Sequence, residues 1–347
     1  MDFEFLSKEN EQEWNDFCLI NDSAWFRHTT FWMKYILDCR EDSNSRNLSF
    51  LVRQNNKVVA IVPLISQYIY SDRDFDEFAN YDTPIPIWAI KNDNQDIQRE
   101  RLVKEIYSFI DKLRQENGIK IARFFIDPLI KTDIYNQFDD FNLLPFGFSL
   151  DMKTTTVIDL RNGIDVVLRD MRKGHKADIK SVFRDGGFRV DIFDKDNLSD
   201  YDASMGVFQK IHFIDSGRKT RSEASWKDTY DWIKMGYGFL VLIWHNELQK
   251  YVAGAWFMLY KDRAYYGSYA TIDSSLLKGR VGYAVQGEAM RYMIEHGVTT
   301  YETGWNYYTC NFKEKEIDSK ILSISKYKKG FGGKEYPLFT FIKAFDD

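Results

Sequence analysis

The sequence predicts a mixed α/β protein made of two like halves. Three observations carry this reading. The chain has 347 residues, more than one hydrophobic core usually serves. Runs rich in β-branched and aromatic residues alternate with segments of helical periodicity throughout. Short strings also recur: Phe50-Leu51-Val52 is echoed by Phe239-Leu240-Val241, and Glu116-Asn117-Gly118-Ile119 by Glu295-His296-Gly297-Val298. Repetition at this distance predicts a duplicated unit, with domains at 1–150 and 151–347 and the final strands packing back on the first. Two packed copies leave a cleft, the usual place for substrates.

In the first half, Asn10 to Ile20 carries Trp14, Phe17 and Cys18 at helical spacing, and Thr29 to Leu37 carries Trp32, Tyr35 and Ile36. His28 between them has no partner at catalytic spacing and reads as a cap or a surface residue. Leu48 to Arg53 and Val58 to Tyr70 read as strands joined by the turn Gln54 to Lys57. Ile97 to Glu116 reads as a helix ended by Gly118, followed by a buried strand over Ile119 to Ile126 that closes on Asp127-Pro128.

In the second half, Asn162 to Arg184 reads as one helix with Asn162 and Asp165 as a capping-box variant, Gly174 as an interruption and Gly186-Gly187 as its end. Arg169, Arg172, Lys173, Lys176, Lys180 and Arg184 lie off its apolar face. They read as a solvated basic face or as a surface for a phosphate backbone. Phe239 to Trp244, Tyr251 to Tyr260 and Ala264 to Ala270 form an antiparallel meander. Leu277 to Ala284, with Gly279, Gly282 and Tyr283, leads into a helix running to His296; a glycine-bearing loop before a helix offers free N–H groups to a cofactor phosphate.

Composition bounds the function. Hydrophobic residues make up 44% and charged residues 29%, and the formal net charge is -5, as in an ordered soluble protein that does not coat DNA. Cys18, Cys39 and Cys310 are far apart, without disulfide or zinc spacing. The start Met-Asp-Phe-Glu-Phe lacks the pattern of a secretory signal and no apolar run reaches bilayer length, so a cytoplasmic location without a transmembrane segment is expected. The five histidines do not fall at metal-ligand spacing, and no Ser-His-Asp or Cys-His set is apparent.

The chain reads as organised around Ser325-Lys326-Tyr327-Lys328-Lys329-Gly330-Phe331-Gly332-Gly333, where cations and an aromatic precede a glycine-rich turn. Positive charge beside exposed backbone N–H groups suits a transfer site for an anionic or acyl-bearing substrate. A solvated lysine loop between two strands is the plain alternative. Tyr265, Tyr266 and Tyr269 read as cleft-lining or core residues, with core favoured for Tyr265.

Lys180 to Gly186, Tyr283 to Glu288 and Tyr327 to Phe331, together with Trp32-Met33-Lys34 and Asp127-Pro128, resemble runs of the Fem family of aminoacyltransferases, which uses the acyl-CoA N-acetyltransferase (GNAT) fold twice. The likeness covers most of the chain, and the absence of a coiled-coil arm resembles the short FemX form. It implies two GNAT-like acyltransferase domains around a cleft. It also implies an enzyme that moves an aminoacyl group from aminoacyl-tRNA to an amine of a cell-wall precursor, with no tightly bound cofactor. The acceptor would be a nucleotide- or lipid-linked saccharide or peptide.

By the same resemblance, Lys328 is the catalytic cation, Tyr327 packs beside it, and Lys34 and Arg221 hold acceptor phosphates. Asp127 lines the cleft, as a general base or as the cap of its strand end. Tyr266 and Tyr269 are further substrate-binding candidates, and Gly279, Gly282 and Tyr283 would hold a cofactor phosphate. The family's glycine pattern is degenerate at Gly279 to Ala284, which counts against acyl-CoA as donor. An acyl-CoA N-acyltransferase acting on an amino sugar and a non-catalytic binding module remain the alternatives.

Overall fold

The computed structural model describes residues 1–39, 44–67, 77–78, 84–91, 96–131, 141–184, 187–273, 275, 280–308 and 319–345. Contacts divide the chain into two compact units, Met1–Met152 with Leu338–Asp347, and Lys153–Pro337.

The first unit holds β1 (Asp2–Phe5), β2 (Arg46–Asn47), β3 (Phe50–Gln54), β4 (Lys57–Val62), β5 (Ile65–Gln67), β6 (Glu77–Phe78), β7 (Ile85–Pro86), β8 (Ala89–Ile90) and β9 (Ile121–Phe125). Its helices are α1 (Glu11–Ile20), α2 (Thr30–Asp38) and α3 (Asp96–Asn117). β1, β3, β4 and β8 form an antiparallel sheet. Its tight turn places Asn55 and Asn56 at φ 51° and 61°, the left-handed pair that a two-residue hairpin requires.

The strand expected over Val58 to Tyr70 is broken. Pro63, lacking an N–H, ends β4, and the chain resumes pairing at Ile65; residues 68–70 lie outside the described residues. The helix over Asp96–Asn117 stops at Gly118, whose φ is 65°. β9 then pairs in parallel with β6 and β7. Its antiparallel partner is the last strand, β16 (Lys334–Ala344), through Thr340–Ala344. His28 is not a surface residue: it is 1% exposed, its Nδ1 lies 3.1 Å from the Trp25 N–H and its Nε2 2.9 Å from the Ile87 carbonyl.

The chain enters the second unit through β10 (Ser149–Asp159), followed by α4 (Ile164–Asp170) and α5 (Lys173–Arg184). The single helix expected here is two. Its break falls at Met171, whose ψ of 150° is extended, and Gly174 lies inside the first turn of α5. Gly163, at φ 80°, is the N-cap of α4 without a side-chain bond, so the Asn162–Asp165 box does not form.

Next come β11 (Phe188–Phe193), α6 (Met205–Ser216), α7 (Glu223–Lys234), β12 (Gly238–His245), β13 (Lys250–Tyr260) and β14 (Arg263–Thr271). The unit closes with α8 (Val281–Glu295), β15 (Thr300–Asn306) and α9 (Ser319–Lys329). Strands β11 to β14 form a consecutive antiparallel meander. α8 carries the chain across to β15, which lies parallel to β14 and antiparallel to β10. α8 presents Val281, Val285, Ala289, Met290 and Met293 to the sheet, where Phe239, Val241, Phe257 and Tyr301 complete a buried core. Burial of that apolar face holds helix to sheet far more than helix propensity does.

The cations expected ahead of a glycine-rich turn lie on a helix that runs as far as Lys329, not on a loop between two strands. Only Gly330 to Gly333 form the turn, with Gly332 and Gly333 both at φ 86°. Side-chain freedom is not what these glycines supply at Gly330: a Cβ there would stand 2.0 Å from the His175 ring.

Candidate active site

β14 and β15 pair only over Arg263–Tyr265 and Thr300–Glu302. Both strands continue, to Thr271 and Asn306, without further pairing to one another among the described residues. The sheet is therefore split beyond Tyr265 and Glu302. Gly304, at φ 86°, sits on the β15 arm of the split. A Cβ at Gly304 would lie 3.0 Å from Lys328 Nζ and 3.6 Å from the Tyr265 hydroxyl. Glycine serves both the left-handed backbone and the approach of these two groups.

Lys328 reaches this point from the last turn of α9, and its amine donates to the Trp305 carbonyl at 3.4 Å. It is half-buried. Burial pushes its pKa below the ordinary lysine value, and the Glu302 carboxylate works in the opposite direction. Glu302 is fully buried and its Oε1 accepts from Thr155 at 2.8 Å. Chemically, the split offers a partly desolvated amine and a phenol converging over a backbone with no side chain. That is a place to receive negative charge as it develops on an acyl oxygen.

Helix α9 is locked behind this amine. His175 Nε2 on α5 lies 2.9 Å from the Tyr327 carbonyl, and burial lowers the pKa of this histidine. The Tyr327 hydroxyl donates to the Gly282 carbonyl at 2.8 Å. Tyr327, Tyr266, Tyr269 and Tyr283 all pack against the core of the unit. Tyr301 donates to Gln286 at 2.6 Å within the same cluster. Burial raises every phenol here, that of Tyr269 to about 12 and those of Tyr266 and Tyr327 further, so all stay protonated.

Gly282, in the first turn of α8, has its Cα against the Tyr269 and Tyr327 hydroxyls. A Cβ would lie 3.3 Å from each. Close aromatic packing thus accounts for this glycine. Gly279 lies outside the described residues, as does Cys310.

The remaining candidates have their own local partners. Arg221 stacks its guanidinium 3.9 Å from the centre of the Trp226 ring at the start of α7. In the first unit, Asp127 is 1% exposed, pairs with Arg27 at 2.8 Å and accepts from the Leu129 N–H at 2.9 Å. Lys34 pairs with Asp38 at 2.5 Å one turn along α2, with its side chain 63% exposed.

Sequence reasoning gave no role to Glu302, Thr155 or His175 and favoured core for Tyr265. Tyr265 is half-buried with its hydroxyl close to Gly304. A signal was present: Tyr301-Glu302-Thr303-Gly304 puts a carboxylate and a glycine inside an otherwise buried strand.

A split between parallel strands, bridged by a helix crossing from one to the other, is the arrangement at the candidate site. Residues 169–314 match the family profile described as an acetyltransferase (GNAT) domain. Over its whole length the fold is that of tandem GNAT proteins. It is similar to the crystal structure of FemX, with a TM-score of 0.66, 14% identity and coverage of 98% of this chain and 97% of that one. It is also similar to the C-terminal domain of a putative lysylphosphatidylglycerol synthetase from Agrobacterium fabrum, with a TM-score of 0.58, 10% identity and coverage of 97% and 92%. A tandem GNAT protein from the clavulanic acid biosynthesis pathway matches with a TM-score of 0.53, 9% identity and coverage of 100% and 99%. No curated protein matches in sequence. No helix among the described residues is long and apolar enough to cross a membrane.

Proposed function

We propose that this protein is an aminoacyltransferase that joins an aminoacyl group from aminoacyl-tRNA to an amine of a cell-envelope precursor. The observation that carries the reading is the Lys328 amine, set beside Tyr265 over Gly304 in the split between β14 and β15. Attack by a neutral amine on the ester carbonyl forms the C–N bond. The C–O bond to the RNA then breaks, and the proton leaves with the ribose hydroxyl. Lys328 as a cation, with the Tyr265 hydroxyl near the same glycine, steadies the oxyanion between these events.

Two features favour a polyanionic donor. Arg172, at the head of α5, and Lys173, Lys180 and Arg184 on it are exposed. His175 of that helix touches the residue preceding Lys328, so the basic face and the reactive amine share one rigid support. The first turn of α8, where a CoA pyrophosphate would seek N–H groups, has Gly282 closed against tyrosine hydroxyls. Asp127, Lys34 and Arg221 belong to the acceptor side in this reading, with a nucleotide- or lipid-linked saccharide or peptide as acceptor. FemX and the lysylphosphatidylglycerol synthetase domain are the similar structures whose names fit it.

A second reading, N-acyl transfer from acyl-CoA to an amino sugar or other small amine, is favoured by the match to an acetyltransferase domain. The experiment that decides is incubation with pools of charged tRNAs or acyl-CoAs, followed by mass analysis of candidate amine acceptors. A ribonuclease-sensitive mass increase by an amino-acid residue supports the first reading. A ribonuclease-resistant increase with acyl-CoA supports the second, and no transfer from either pool overturns both.

A further inference from the structure

We propose that the C-terminal turn of α6 and the loop behind it form a docking surface for an anionic lipid bilayer. Phe213 and Ile214, consecutive in that turn, are 56% and 57% exposed, although most large apolar residues of the unit are covered. Lys210 stands one turn back on the same helix, three and four residues from them, and Arg218 and Lys219 follow the Gly217 cap. All three cations are exposed. Lys320, at the start of α9, acts electrostatically on Asp215 and so brings a fourth cation to the same turn.

Hollows of about 610 Å³ and 550 Å³ lie on either side, and Lys210 and Ile214 line both. The first also carries Phe213, Arg218 and Lys219. Among the described residues of this face the carboxylates are Asp215, on the turn itself, and Glu223, which lines the first hollow and is engaged by Gln209 at 2.7 Å. Four cations against two carboxylates make this face locally positive in a chain of net charge -5. Cations ringing exposed aromatic and branched aliphatic side chains complement anionic headgroups over acyl chains. Nucleic acid would answer the charge and the phenyl ring but would gain nothing from Ile214.

The test is co-sedimentation of the full chain with phosphatidylcholine vesicles, with and without phosphatidylglycerol. Binding is expected to require phosphatidylglycerol and to weaken with salt. Lys210→Gln with Arg218→Gln should weaken it by about thirtyfold, from about 1 kcal/mol per basic residue near the surface. Phe213→Ser with Ile214→Ser should reduce it further at fixed charge. All four positions are exposed, and unchanged circular dichroism and urea midpoints confirm that the variants fold. Absence of vesicle binding, binding indifferent to both double variants, or loss of self-association in the apolar variant without any vesicle binding would each overturn the proposal.

Discussion

Replacing Arg27 with Met separates two accounts of Asp127. The pair is buried on both sides, with side-chain exposures of 8% for Arg27 and 0% for Asp127, and its closest atoms are 2.8 Å apart. Opposite charges about 4 Å apart attract by about 4 kcal/mol at an effective dielectric near 20. Breaking a buried pair from one side typically costs about 3–5 kcal/mol. Arg27→Met leaves the Asp127 carboxylate, 0% exposed, with the Leu129 N–H at 2.9 Å and without the charge the guanidinium supplied. The methionine chain refills part of the volume beside Trp25 and Phe125, whose rings lie 5.0 and 5.9 Å from the guanidinium carbon. We therefore expect a loss of about 3 kcal/mol from the first unit. A urea titration followed by tryptophan fluorescence measures it, since Trp14, Trp25 and Trp88 are buried in that unit. Arg27→Met with Asp127→Leu should recover most of the loss. A single variant within about 0.5 kcal/mol of the parent, a range usual for surface changes, would refute the view that this pair supports the fold. Asp127 would then stand mainly as an acceptor-side residue.

Other expectations follow from the second unit. Lys328→Ala should abolish transfer while leaving the urea midpoint unchanged, and normal turnover by the folded variant would remove Lys328 from the chemistry. Because burial lowers its pKa, the cation is lost as pH rises at a lower pH than for an ordinary lysine. The alkaline limb of the rate profile should move upward in Lys328→Arg, which remains charged. Burial also pushes His212 down to about 4. Between about 6.5 and 4 the unfolded chain holds the proton and the folded one does not. Stability of the second unit should fall as pH drops through this window, and His212→Gln should flatten the fall in acid urea titrations. Gly330→Ala forces the His175 ring away from the Tyr327 carbonyl and should cost about 1–3 kcal/mol, as overpacking usually does. Calorimetry of the variant measures that loss.

Much of the fold could be read from residue order because local and global preferences agree. The helices at α1, α3 and α8 carry their apolar face at one spacing, and Gly118 and Gly297 end two of them at φ 65° and 75°. Single features that compete with periodicity misled the reading. Pro63 broke an apparent strand. The pattern over 162–184 stays amphipathic across the helix break at Met171, because both short helices bury residues in the same core. At the proposed site, Lys328 is a candidate that a cluster of cations before glycines suggests from sequence. Tyr265 and Glu302 were not legible there, since their meaning depends on where two parallel strands stop pairing, which no local pattern encodes.

The final strand has a consequence for how the molecule is made. Leu338–Asp347 belong to the same compact unit as Met1–Met152, and Thr340–Ala344 supply the antiparallel neighbour of β9. As the chain leaves the ribosome, the amino-terminal unit must wait for the last residues while the other unit can already close. Until then β9 presents an unpaired backbone edge, the kind that invites wrong partners. Clipping the final ten residues should therefore damage the part of the protein that was synthesised first.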